Sequence, residues 1–159
     1  ENQTAIQKAG GIVPLVNLLS SASTDVKRYA AGALVNLADA NLKNQNAIRL
    51  EGGIDTLVEL LNDKSKTVKN NAIRVLWYLS ENPENQTAIR KKGGIESLVT
   101  LLTDPTEMIR TKAARLLCRL SLDEENKEIL KEKKMIYKIW TISKWQQSTN
   151  INDLYTIDN

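Results

Sequence analysis

The phrase NQTAIRKKGGIESLVTLL, beginning at Asn85, recurs along this chain and constrains its fold more than any other feature. Near-copies begin at Asn2 (NQTAIQKAGGIVPLVNLL) and Asn44 (NQNAIRLEGGIDTLVELL), and a worn one at Asn126 (NKEILKEKKMIYKIWTIS). The offsets are 42, 41 and 41 residues. Six of the seven glycines sit in the pairs Gly10-Gly11, Gly52-Gly53 and Gly93-Gly94. A period of this length marks stacked supersecondary units, none of which can bury its apolar face alone.

Within a unit the pattern is helical throughout. Asn2 to Ala9 reads as a short helix, stopped by Gly10-Gly11 because a left-handed position after a helix is nearly free of strain only for glycine. Ile12 to Leu19 (I-V-P-L-V-N-L-L) reads as a second helix, with Pro14 tolerated in its first turn. A polar turn over 20–24 offers N-caps for a longer third helix, in which Val26, Ala30, Ala33, Leu34 and Leu37 recur three and four apart. The second unit repeats the scheme near 44–51, 54–61 and 65–81. In the third, Asp104-Pro105-Thr106-Glu107 predicts a helix start with Asp as N-cap, Pro at N1 and Glu at N3; Asn82-Pro83 marks the preceding boundary in the same manner. The fourth unit has Lys134-Met135 in place of the glycine pair and is rich in aromatics (Tyr137, Trp140, Trp145). Nothing alternates with period two for long enough to make a strand. These spacings predict an array over 1–145, with units at about 1–41, 42–83, 84–124 and a partial fourth at 125–145. The segment 146–159 is expected to be a cap or tail. Because the sequence opens inside a unit, it reads as part of a longer array whose open ends could self-associate.

Composition narrows the function. The 159 residues include no histidine, which removes the commonest general base and the commonest metal ligand. Cys118 is the single cysteine, too few for a zinc site or an internal disulfide. No nucleophile–base pair stands out, and the glycine pairs follow no strand and precede no Gly-Lys-Ser/Thr. The chain is therefore expected to be no enzyme and to hold no cofactor or metal. No apolar run is long enough to span a bilayer. A cytoplasmic or nuclear location fits the lone cysteine, and the Asn-Gln-Thr sequons at Asn2 and Asn85 belong to the repeated wording.

The period, the G-G-I-x-x-L-V-x-L-L of the second helix and the A-x-x-L-x-x-L of the third together resemble the armadillo repeat from Asn2 to about Trp145. HEAT repeats share the architecture but usually lack the glycine pair. The resemblance implies an all-α, right-handed superhelical solenoid of three-helix repeats whose third helices line a concave groove. It also implies a protein-binding scaffold or adaptor, often taking extended peptides. At the positions where import adaptors of this family carry tryptophan, this chain has Gly32, Arg74 and Arg115. Four residues on, where those adaptors carry asparagine, it has Asn36, Tyr78 and Arg119. Only Asn36 matches, so the clamp for a basic import signal is absent, and arginines would repel such a cargo.

The charge favours an acidic partner. The segments 24–39, 65–81 and 105–122 hold nine basic residues (Lys27, Arg28, Lys66, Lys69, Arg74, Arg110, Lys112, Arg115, Arg119) against four acidic ones (Asp25, Asp39, Glu81, Glu107). That is +5 in a chain whose net charge is +3, which leaves −2 elsewhere. The groove is therefore read as Arg28, Asn36, Asn70, Arg74, Trp77, Tyr78, Lys112, Arg115 and Arg119. Arg115 and Arg119, four apart on one helix face, repel by roughly 0.2–0.5 kcal/mol, which an acidic partner would relieve. Each residue also has a plainer reading. A basic helix face can simply be solvated, Trp77 can be inter-repeat packing, Asn36 can bridge neighbouring backbone, and Cys118 suits a core. The expected partner is a protein or extended acidic peptide. Nucleic acid in the same groove is the alternative, disfavoured because the groove positions follow no repeating code.

Overall fold

The computed structural model describes residues 2–143, so the readings made for Trp145 and for 146–159 lie outside the described residues. Among the described residues there is no strand. The first unit comprises α1 (Asn2–Lys8), α2 (Ile12–Leu18) and α3 (Thr24–Ala38). The second comprises α4 (Leu42–Leu50), α5 (Gly53–Leu60) and α6 (Lys66–Leu79). The third comprises α7 (Pro83–Lys91), α8 (Gly94–Leu101) and α9 (Glu107–Leu120), and α10 (Glu124–Glu132) and α11 (Ile136–Ser143) follow. The third helices form one layer, α6 lying between α3 and α9, and α11 packs against α9. Leu34, Leu57, Leu76, Leu98 and Leu117 are fully buried in a core that runs through all the units, so each unit's apolar stripe is covered by its neighbours.

The two members of each glycine pair have different jobs. Gly10, Gly52 and Gly93 all adopt φ between +71° and +77°, the left-handed conformation expected after a helix. Their partners are needed for space. A Cβ on Gly53 would lie 2.6 Å from Ile48 Cγ2 and 2.7 Å from the Ile48 carbonyl oxygen, and Gly94 meets Ile89 in the same way. The worn fourth copy keeps half of this device. Lys134 holds φ +53° where its counterparts are glycine. At Met135, which has a Cβ, the following helix starts one residue later than in the second and third units.

The repeated Asn-Gln wording welds unit to unit. Asn44 Nδ2 donates to the Leu37 carbonyl (2.8 Å), Asn85 Nδ2 to Leu79 (2.9 Å) and Asn126 Nδ2 to Leu120 (3.0 Å). All three amides are fully buried and satisfy carbonyls left over at the end of the preceding third helix. A second weld is ionic. Lys27 pairs with Asp63 of the next unit, and Lys69 with Asp104. This corrects the cap expected at Asp104. Helix α9 begins at Glu107 with Thr106 as its N-cap, while Asp104, 7% exposed, takes Lys69 on one oxygen and the Thr106 N–H on the other (2.8 Å). Asp63 does the same with Lys27 and Ser65. Asn82, by contrast, caps α7 ahead of Pro83 as the sequence predicts.

The first unit lacks such cover. Ile6 is 41% exposed and Leu18 44%, whereas their counterparts Ile48 and Leu60 are 0% and 6% exposed.

Candidate functional site

Helices α3, α6 and α9 present the nine residues singled out in the sequence, but the structure divides them into three groups. The first is a cluster between α6 and α9. Arg74 stands one turn beyond Asn70 on α6, and Arg115 stands one turn beyond Lys112 on the neighbouring α9. Arg74 and Arg115 are exposed, while Asn70 and Lys112 are half-buried. Lys112 Nζ donates to Asn70 Oδ1 (2.5 Å), which fixes the ammonium at the helix interface. The amide line continues inward, with Asn70 Nδ2 donating to Asn71 Oδ1 (3.4 Å) and Asn71 Nδ2 to the Arg28 carbonyl (3.1 Å). Burial, and then the positive charges of Arg74 and Arg115, push the Lys112 ammonium below the ordinary lysine pKa. Three cations from two helices therefore share one field.

The second group is already engaged. Arg119 lies 4.5 Å above the Trp77 ring and 3.6 Å from Glu81, whose other oxygen accepts from Gln45 Nε2 (2.8 Å). This corrects the expectation that the Arg115–Arg119 repulsion waits for a partner: Glu81, from within the chain, already neutralises Arg119. Trp77 is half-buried against the core with Arg119 covering it, so its packing and its contact with a cation are one arrangement. Tyr78 is half-buried beside it. The third group lies on α3. Arg28 is gripped by Asp25 (3.0 Å) and lies 3.9 Å over the Tyr29 ring, and Asn36 is exposed with its carbonyl accepting from Gln3 Nε2 (2.6 Å). Cys118 is buried.

The nine cations of the third helices are thus unequal. Lys27, Arg28, Lys69 and Arg119 each meet a carboxylate of this chain. Arg110 donates to the Asp104 and Pro105 carbonyls (2.7 and 3.0 Å). Among the described residues, no carboxylate pairs with Arg74 or Lys112. Of the cations that make up the +5, Arg74 and Lys112 thus lie together at the α6–α9 interface, where the charge of Arg74 acts on Lys112. A cleft of about 270 Å³ beside Leu61, Lys69, Thr100 and Asp104 is a different place, and its two charged groups neutralise each other.

Among the described residues, no cluster of carboxylates or cysteine could hold a metal ion, and no helix is long and apolar enough to cross a membrane.

Comparison with known proteins bears on what such a patch serves. The family model described as Armadillo/beta-catenin-like repeat matches residues 1–39, 43–81 and 82–122. No curated protein matches the chain. Among solved structures, an engineered protein from the Northeast Structural Genomics Consortium is 31% identical with a TM-score of 0.81, over 96% of this chain and 62% of that one. The designed armadillo repeat protein YIII(Dq)4CqI is 28% identical with a TM-score of 0.80, over 86% of this chain and 58% of its own. The designed armadillo repeat protein YIII(Dq.V1)4CPAF, in complex with the peptide (KR)4, is 26% identical with a TM-score of 0.80, over 96% and 64%. The chain thus spans less than two thirds of the length of these structures.

Proposed function

Because the chain belongs to the armadillo/β-catenin-like repeat family and forms its right-handed solenoid of three-helix units, we propose that it is a protein-interaction module. In this reading the third helices hold an extended, acidic segment of another protein, and the module serves as a scaffold or adaptor. The observation that carries it is the cluster of Arg74, Lys112 and Arg115, of which Arg74 and Lys112 pair with no carboxylate among the described residues. A designed relative is in complex with a peptide of lysine and arginine. Here the third helices carry cations, so the same mode of binding would take the opposite charge.

The geometry suits an extended chain. Neighbouring helices pack about 8–10 Å apart. An extended peptide advances about 3.3 Å per residue, so acids two or three residues apart reach successive third helices. Arginine adds a planar fork that grips a carboxylate through two parallel hydrogen bonds, which fixes geometry as well as charge. The compartment that goes with this reading is the cytoplasm, or the nucleus, where a lone buried thiol stays reduced.

Reversal of Arg74 and Arg115 to glutamate tests it. Both side chains are exposed, so the helical circular dichroism and melting midpoint should hold. Capture of acidic partners from a lysate, read by mass spectrometry against the unaltered chain, should fall at least tenfold, about 1.4 kcal/mol. Added salt should weaken the unaltered complex. Arg119 is left out of this variant because a glutamate there would face Glu81. Undiminished capture by the reversed protein would move the site off this patch, and capture dominated by RNA would favour nucleic acid as the ligand.

A further inference from the structure

We propose that the outer face of the first unit is a dimerisation surface, on which a second copy of this chain docks through the same face about a twofold axis. This goes beyond the peptide-binding reading and does not depend on it. The repeat supplies the reference for the face, because each of its positions has a counterpart 42 residues on in the second unit. Ile6, Leu18, Val26, Tyr29 and Ala33 correspond to Ile48, Leu60, Val68, Asn71 and Val75. Those five counterparts are all 9% exposed or less. The first unit packs against that side of the second, with α3 on α6 and Asn71 Nδ2 donating to the Arg28 carbonyl (3.1 Å). On the first unit, Ile6, Leu18 and Tyr29 are 41%, 44% and 66% exposed, and Val26 and Ala33 are half-buried. The side that forms the junction in the other units is open here.

Two substitutions on this face decide what fits it. In the second and third units, the turn before the third helix carries an acid that receives the preceding unit's lysine: Asp63 takes Lys27, and Asp104 takes Lys69. In the first unit that place is held by Ser21. Its Oγ accepts from the Ser23 N–H (3.1 Å), as Asp63 accepts from the Ser65 N–H (2.8 Å), but it brings no charge. Another unit built like those of this chain would therefore bury its lysine here without a carboxylate, which is costly. The second substitution is Tyr29, standing where Asn71 reaches back to the helix before it. A tyrosine offers a large apolar ring with a polar tip, the kind of side chain that interfaces favour. The charge beside it is answered within α3, since Arg28 lies 3.9 Å over the ring and pairs with Asp25 (3.0 Å). A second copy of the same face brings matching apolar surface and no lysine in search of an acid. A contact between identical faces also closes at two subunits, whereas a head-to-tail contact repeats without end unless its rotation closes a ring.

Sedimentation of the 159-residue chain over about 1–200 µM tests the proposal. The mass should rise with concentration and stop at twice that of one chain. Ile6→Lys and Leu18→Lys each set like charges on both copies and should raise the dimer dissociation constant at least tenfold. Leu50→Lys, at a 73% exposed position on α4, should leave it unchanged. Melting curves show that each variant is folded. The Leu18→Lys and Leu18→Glu chains, each monomeric alone, should form a mixed dimer when combined, because opposite charges then meet across the contact. Hydrogen exchange of the unaltered chain needs no substitution: amides of α1 and α2 should exchange more slowly at high concentration, and those of α8 at the same rate. The mass of one chain at every concentration would overturn the proposal. Growth past two chains would mean head-to-tail association and overturn the twofold axis, as would failure of the mixed dimer. A dimer undisturbed by either lysine, or showing no slowing at α1 and α2, would place the contact elsewhere and overturn this face.

Discussion

Two sets of cations on the third helices behave in opposite ways. Lys27 and Lys69 point across a unit junction and end on Asp63 and Asp104, with little of either side chain left in water. Arg74, one turn and a residue beyond Lys69 on α6, is exposed, pairs with no carboxylate among the described residues, and adds its charge to the field at Lys112. The first set is architecture, and the second is the surface proposed to take an acidic partner. Net charge did not distinguish them, because both contribute to the same +5. What separates them is where the counter-charge comes from. In the junctions it is supplied 35–36 residues away in the same chain. At the patch, no carboxylate among the described residues pairs with Arg74 or Lys112.

The sharpest way to break this contrast is to remove one junction acid. Asp104→Ala strands a mostly buried ammonium and a backbone N–H, and it should destabilise the fold by about 2–4 kcal/mol. Arg74→Ala should stay within about 0.5 kcal/mol of the unaltered chain. Thermal melts of both variants check the pair, and equal effects would erase the distinction. The junction acids also make the fold sensitive to acid. Burial alone would raise their pKa values, but the lysine, its charge and the backbone N–H outweigh it, so Asp63 and Asp104 are held below the ordinary carboxylate range. A carboxyl whose folded pKa is depressed stabilises the fold above its unfolded value and loses that contribution as pH falls through the folded one. Stability should therefore drop below about pH 4, and Asp104→Asn should flatten part of that limb.

The glycine pair sharpens the same lesson within two adjacent residues. Gly53→Ala drives a Cβ against the Ile48 carbonyl and side chain and should cost about 1–3 kcal/mol. Gly52→Ala meets nothing within 4 Å and pays only for its left-handed backbone, about 1 kcal/mol. Urea melts of the two variants would reverse the assignment if Gly52 proved the more sensitive.

The sequence shows why one of these glycines is needed and not the other. A glycine closing a helix implies positive φ, because that rule is local. The second glycine matters through contact with Ile48, five residues back and around a turn, which periodicity does not reveal. The buried Asn44, Asn85 and Asn126 were conspicuous as repeated wording, yet their task becomes visible only when the carbonyls of the preceding helix are in place. Asp-Pro at Asp104 is a local signal for a cap, and a lysine from the previous unit overrides it. The candidate patch was legible as a list of basic residues on third helices. Which of those were already neutralised was not, since Glu81, Asp63 and Asp104 reach them across unit boundaries.

The smallest expected effect tests the patch without any partner. Burial and the two arginines depress the Lys112 pKa, so at mildly alkaline pH a larger fraction of its amine is neutral than at an ordinary exposed lysine. The neutral amine is the nucleophile. At pH 8.5, brief treatment with an acylating reagent and peptide mapping should show Lys112 modified somewhat faster than Lys66, which is exposed at the start of α6. Partial burial and the hydrogen bond to Asn70 work against reaction, which is why the expected ratio is small. The comparison that removes this ambiguity is Arg74→Gln. It leaves the burial and the amide in place, takes away one of the two positive charges, and should slow labelling of Lys112 while leaving Lys66 unchanged. Unaltered labelling of Lys112 in that variant would mean that the arginine does not act on the ammonium, and the three cations would no longer count as one site.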